Sequence, residues 1–171
     1  MKKSFVKGFI FTGIVGVLLH FLFDLTGGSV FIAPFSAVNE SIWEHIKLVF
    51  FPMFVFSVIE SRHFKKIPPN YWCIELIGTA WGAGLVPVLY YTLSGAIGEL
   101  SDWVNIAIFF VSAGVGYLVK WWLFNKNCIK CKNPKWAITI FVLIAVLFAV
   151  LTFIPPKLPI FEDPVTNTYG I

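Results

Sequence analysis

The sequence predicts an all-α integral membrane protein, with five transmembrane helices in one bundle, the N-terminus inside and the C-terminus outside. Three observations predict it. Of 171 residues, 58% are hydrophobic, 18% aromatic and only 13% charged, with a mean hydropathy of +0.82; a soluble domain carries about 25% charged residues. Several runs approach or exceed the roughly 20 apolar residues that span a bilayer. The basic residues, finally, cluster in alternate connections. One transmembrane domain, 1–171, accounts for the whole chain and leaves no room for a soluble one.

The first span, 5–25, follows Met1-Lys2-Lys3. A cleaved signal peptide is the alternative, with Thr26-Gly27-Gly28-Ser29 as its small-residue end. His20 and Asp24 interrupt the hydrophobic region, however, and the run is long for a signal core, so a retained helix is expected. The second span, 42–59, contains Pro52, and the third, 71–93, contains Pro87. Each proline frees a helical carbonyl, those of Leu48 and Ala83. Span three also carries Gly78-x-x-x-Gly82 overlapped by Ala80-x-x-x-Gly84. Such small-residue stripes let helices approach closely, here within the chain, against glycines of span one or against Ala113 and Gly116 of span four. Spans four and five are 103–124 and 136–154. The tail, 155–171, opens with the stiff Ile154-Pro155-Pro156-Lys157-Leu158-Pro159 and continues with turn formers and aromatics. It reads equally as a cap on the outer mouth or as a loose end.

Eleven of the thirteen Lys and Arg residues fall before span one or in its first turn, between spans two and three, or around the connection from span four to span five. Only Lys47 and Lys157 do not. The positive-inside rule therefore puts those connections in the cytoplasm of a multi-pass cell-membrane protein. The acidic residues reverse this: Asp24, Glu40, Glu44, Glu99, Asp102, Glu162 and Asp163 belong to the outer side, and only Glu60 and Glu75 to the inner. A net charge of +4 spread over short loops suits lipid head groups and excludes nucleic acid as a partner; the partner is the bilayer. Glu75, a turn into span three, reads as half of a buried ion pair with a Lys or Arg, with a proton relay as the alternative. Cys128-Ile-Lys-Cys131 should face the reducing cytoplasm as free thiols, and the three cysteines make no disulfide framework.

The chemistry-bearing segment is Asn39-Glu-Ser-Ile-Trp-Glu-His-Ile-Lys47. Glu40, Glu44 and Lys47 lie along one helical stripe, with His45 about 100° around from Glu44. His20 and Asp24, at i and i+4 near the outer end of span one, share a face at the same depth. A connection of some sixteen residues makes the two helices antiparallel neighbours. Ionisable residues inside a membrane are expensive and have a task. The candidate ligand-binding set is His20, Asp24, Asn39, Glu40, Glu44, His45 and Lys47, and three readings of it stay open. It is a packing network, as in a structural accessory subunit of a membrane complex. It binds or passes a small polar ligand or cation. Or His20, Asp24 and His45 hold a divalent metal such as zinc, with Glu40 or Glu44 as the base of a hydrolase acting at the outer leaflet. There is no His-x-x-x-His or His-Glu-x-x-His, so whether the chain is an enzyme stays open. Five short helices leave little interior volume in one protomer, so a conduction path would need a homo-oligomer.

The nine-residue motif, with Phe50-Phe-Pro-Met53 behind it, resembles the signature of a family of small bacterial multi-pass membrane proteins catalogued as a domain of unknown function. His20-Phe-Leu-Phe-Asp24 and Asp163-Pro-Val-Thr-Asn-Thr-Tyr-Gly170 are similar to its other marked segments, with Asn167 where a glycine is expected. The resemblance covers essentially the whole chain and implies the architecture and the choice of polar residues, with no reaction attached.

Overall fold

The computed structural model describes residues 2–127, 129–131 and 133–171. Five helices follow one another: α1 (Lys2–Leu25), α2 (Ile42–Ser61), α3 (Tyr71–Ile97), α4 (Asp102–Lys126) and α5 (Pro134–Phe153), before a single 3-10 turn at Pro159–Phe161. All five are long and apolar enough to cross a membrane. Side-chain caps open two of them. The Ser41 hydroxyl accepts from Glu44 N at the start of α2. Asn133 accepts from Lys135 N at the start of α5, with Pro134 in the first turn. At the far end of α4, Asn127 turns left-handed at φ 47° and closes the helix.

The helices form an antiparallel bundle around α2, which has 61% of its apolar window buried against 22–39% for the others. Val49, Phe50, Met53, Ala113 and Phe141 make the centre of the core. Ile14, Leu18, Leu118 and Leu143 point outward, which is where a bilayer would solvate them. Trp103 at one end of the bundle, and Trp122 and Trp136 at the other, are exposed as interfacial anchors are.

Two close approaches set the packing. A Cβ on Gly78 would lie 2.8 Å from the Gly116 carbonyl and 2.2 Å from Lys120 Cγ, so the glycine stripe of α3 packs on α4 and admits the Lys120 side chain between them. A Cβ on Gly16 would lie 2.8 Å from the carbonyl of Leu48. That is the carbonyl Pro52 leaves without its helical donor, and α1 closes over it through a residue with no side chain.

One end of the bundle, the basic end, carries the start of α1 and the α2–α3 and α4–α5 connections. The opposite, acidic end carries the α1–α2 loop, the α3–α4 turn and the tail. At the basic end the structure corrects the expectation of free thiols: Cys73 and Cys131 form a disulfide, with Cα atoms 6.1 Å apart. The antiparallel pairing of α3 with α4 carries the linker back over the first turn of α3, and spacing along the chain does not reveal this. Cys128 lies outside the described residues.

The tail folds back over the acidic end. Trp43 packs between Phe148 of α5 and Phe161 of the tail, each ring 4.7 Å away. Glu162 and Tyr169 pair in a short antiparallel bridge. The turn between them is held by the Asp163 carboxylate, which accepts from Val165 N and the Thr166 hydroxyl, both at 2.8 Å. Asn167 takes the left-handed conformation, φ 57°. Asparagine tolerates that region better than most residues, so the turn needs no glycine there.

Candidate metal centre

The α1–α2 loop is built to hold its ends in place. The Ser36 hydroxyl accepts from Phe23 N at 3.0 Å and donates to the carbonyl of Leu19. It thus grips the turn of α1 that bears His20. Asn39 Oδ1 accepts from Ser41 N, and its amide donates to the Gly170 carbonyl of the tail, both at 3.0 Å. Glu40 therefore sits between an anchored asparagine and the cap of α2.

This scaffold brings His20, Glu40 and His45 together, with one ligand-type atom from each inside a 4.8 Å group. His20 Nε2 lies 3.7 Å from Glu40 Oε1, and His45 Nε2 lies 3.5 Å from Glu40 Oε2. Both gaps are too long for good hydrogen bonds. Two donors on one tetrahedral zinc, each about 2.0–2.1 Å from the ion, would stand roughly 3.3–3.4 Å apart. His45 Nδ1 lies 2.9 Å from the Ser41 carbonyl. Donating there fixes the tautomer and leaves Nε2 with a free lone pair, as a carbonyl does behind a ligating imidazole. Among the described residues the buried Nδ1 of His20 has no hydrogen-bond partner. Glu40 is about half exposed, 49%, against 26% and 22% for the imidazoles, so the group opens to the surroundings on one side.

Beneath it lies a different arrangement. Glu44 and Lys47 are almost completely buried and pair at 2.5 Å. The Lys47 ammonium also donates to the Ala33 carbonyl at 3.0 Å and the Thr152 hydroxyl at 2.8 Å, which uses all three of its protons. Glu44 Oε2 accepts from Val38 N as well, and Oε1 faces the Thr152 hydroxyl at 3.5 Å. Thr152 gives its one proton to the Phe148 carbonyl at 2.9 Å, so it is burial beside Lys47, at 2% exposure, that keeps Glu44 from acting on water.

The residues singled out from the sequence therefore separate. His20, Glu40 and His45 converge, Asn39 positions Glu40, and Glu44 with Lys47 tie α2 to the loop and to α5. Asp24 is exposed at the end of α1 and stands outside the group, where Glu40 supplies the carboxylate. Sequence reasoning missed Ser36, Thr152 and the carbonyl of Ala33. Ser36 and Thr152 look like ordinary small polar residues until the fold places each against a buried group, and no spacing signal marks them.

The model of a family described as "Family of unknown function (DUF6512)" matches residues 1–171. No curated protein matches the chain, and no solved structure does. The match agrees, at the level of a family without an assigned function, with the resemblance carried by the Asn39–Lys47 segment. The chain belongs to that family.

Proposed function

We propose that this DUF6512 member is a membrane protein that binds one divalent transition-metal ion at its acidic end, through His20 Nε2, His45 Nε2 and a Glu40 oxygen. The observation that carries this is the triad itself: three ligand-type atoms from three segments, held inside 4.8 Å, yet separated by gaps that hydrogen bonding does not explain. Two imidazoles and a carboxylate suit zinc and its neighbours in the series and disfavour magnesium or calcium, which take oxygen ligands. A fourth position is left toward the open side. A bound ion could take a water or a small polar ligand there and polarise it. Reading the protein as a hydrolase would require a base other than Glu44, so metal capture is the reading we adopt.

The placement of Lys and Arg supports an orientation with the basic end in the cytoplasm and the metal site facing outward. In that orientation the Cys73–Cys131 disulfide lies on the cytoplasmic side, where such bonds are uncommon. A C-terminal alkaline phosphatase fusion should then be active in cells, and an inactive one would reverse the assignment.

Isothermal titration of zinc into chelator-stripped, detergent-purified protein tests the binding. One equivalent should bind. Binding should be lost in His20→Ala/His45→Ala and in Glu40→Gln, and kept in Asp24→Asn. Binding that survives the double histidine variant would refute the site.

A further inference from the structure

The basic end carries a second constellation, which the metal site does not use. Cys73 lies in the first turn of α3 and Cys131 in the α4–α5 linker, and their disulfide ties the two together. A cleft of about 460 Å³ opens beside it, lined by Pro69, Asn70, Asn127, Ile129, Lys130 and Cys131. That volume falls in the range of small-molecule sites. Two of the lining side chains clasp each other, since Asn70 Nδ2 donates to Asn127 Oδ1 at 3.2 Å. Cys131 is part of the cleft wall and Cys73 is not, although both residues are only partly buried. A molecule in the cleft therefore meets the disulfide from the Cys131 side.

Two further features suit this bond to exchange rather than to permanent stapling. One is charge. Lys130 is exposed in the cleft wall beside Cys131, and Lys126, Lys132 and Lys135 flank it in sequence. Such a patch draws in a small thiol that carries carboxylates. The other is the leaving group. Cys73 is the third residue of α3, and its Cα–Cβ bond tilts toward the helix N-terminus. The N-cap residue Asn70 makes no side-chain cap there. A thiolate leaving at Cys73 thus meets the N–H groups of the first turn and the positive end of the helix dipole. A stabilised thiolate departs faster. Disulfides on the cytoplasmic side, where they occur, are mostly transient and redox-active.

We propose that Cys131 is the point of attack in a thiol–disulfide exchange site, whose reaction partner is a small carboxylate-bearing thiol of the glutathione type held in this cleft. Its thiolate attacks Cys131 Sγ. A bond forms between those two sulfurs, the Cys73–Cys131 bond breaks, and Cys73 leaves as a thiolate that takes a proton from water. A second small thiolate then attacks the small-thiol sulfur of the mixed disulfide, and Cys131 leaves and is protonated in turn. Two electrons pass from the two thiols to the protein, their two protons end on the cysteines, and the small-molecule disulfide departs. That disulfide drives the reverse reaction. Reduction releases the α4–α5 linker from the first turn of α3. The site stands apart from the metal centre and does not depend on it.

Glutathione exchange on the full chain in lipid nanodiscs tests this, in a Cys128→Ser background that leaves only the pair to count. Circular dichroism shows that the helices persist throughout. Reduced glutathione should expose two maleimide-reactive thiols in the folded protein, and oxidised glutathione should close them again. In Cys73→Ser/Cys128→Ser, oxidised glutathione should add to Cys131. Lys130→Glu should slow reduction by glutathione about tenfold and leave reduction by neutral mercaptoethanol unchanged. Should Cys128→Ser fail to fold, peptide mapping of the labelled wild-type cysteines carries the same count. A bond that stays closed until the helices unfold would be a structural staple and would overturn the proposal. So would thiols that oxidised glutathione does not close, a Cys131 that takes no adduct, or a glutathione rate indifferent to Lys130→Glu.

Discussion

Two buried Glu–Lys pairs sit in this bundle, and they differ in one respect that separates packing from chemistry. Near the acidic end, Lys47 spends all three protons on Glu44, the Ala33 carbonyl and Thr152, and Glu44 Oε2 also accepts from Val38 N, while Thr152 gives its own proton to the Phe148 carbonyl and stands 3.5 Å from Glu44 Oε1. Near the basic end, Glu75 and Lys120 are as deeply buried, but among the described residues one carboxylate oxygen and the hydroxyls of Thr79 and Ser112 are unmatched. A more fully bonded network fixes a structure, while a less bonded one leaves polar groups for a ligand or a water. Burial and charge alone would rank the two pairs equally. The hydrogen-bond inventory separates them, and at the acidic end the three ligand-type atoms that converge are those of His20, Glu40 and His45, not Glu44.

The sharpest way to break this comparison is to remove each lysine. Lys47→Met leaves Glu44 buried without its cation and strips the donor from Ala33 O, and should cost about 3–5 kcal/mol. Lys120→Met should cost less, because the Ser57 hydroxyl stays on Glu75 and, among the described residues, the loss strands one acceptor where Lys47→Met strands three. Thermal unfolding of the two variants in the same detergent decides it, and equal losses would erase the distinction.

Next in size is the seat of Lys120. Gly78→Ala drives a methyl group toward Lys120 Cγ and the Gly116 carbonyl, which should cost about 1–3 kcal/mol as overpacking. Gly84→Ala, with nothing within 4 Å, should leave the melting temperature unchanged. At the acidic end, Asn39→Ala removes the contacts that hold Glu40's neighbours and the tail. It should weaken zinc binding about tenfold, as loss of a supporting contact does, with little change in unfolding. The smallest effect concerns the tail. Tyr169 donates to Glu162 at 2.9 Å, and that bond raises the phenol above its ordinary range. The folded tail favours the neutral phenol, so its contribution is complete below about pH 10 and fades as pH rises through the raised value. Amide exchange across the tail should therefore speed up, relative to Tyr169→Phe, only in strong base.

The five helices were legible because each requirement for spanning a bilayer is local: length, apolarity and flanking charge. The region of the candidate site was conspicuous for the same reason, since four ionisable residues within eight positions stand out against hydrocarbon. What was not legible depends on which segments meet. Glu40 displaces Asp24 from the triad because the capped loop turns it toward His20, and helix periodicity describes residues on helices rather than in the loop ahead of one. Thr152 lies 105 residues from the lysine it serves. The Cys73–Cys131 bond spans 58 residues, and only the α3–α4 pairing makes it short in space. Glu75 was visible as half of an ion pair, but its partner became identifiable only once Gly78 was seen to let a side chain from α4 through.

The most direct test is the X-ray absorption spectrum, at the zinc edge, of protein loaded with one equivalent of metal. The account predicts a first shell of nitrogen and oxygen only, at about 2.0–2.1 Å, with the outer-shell features of two imidazoles that disappear in His20→Ala/His45→Ala. Sulfur at about 2.3 Å would place the metal on the cysteines at the basic end instead and would contradict the assignment of the acidic end as the working site.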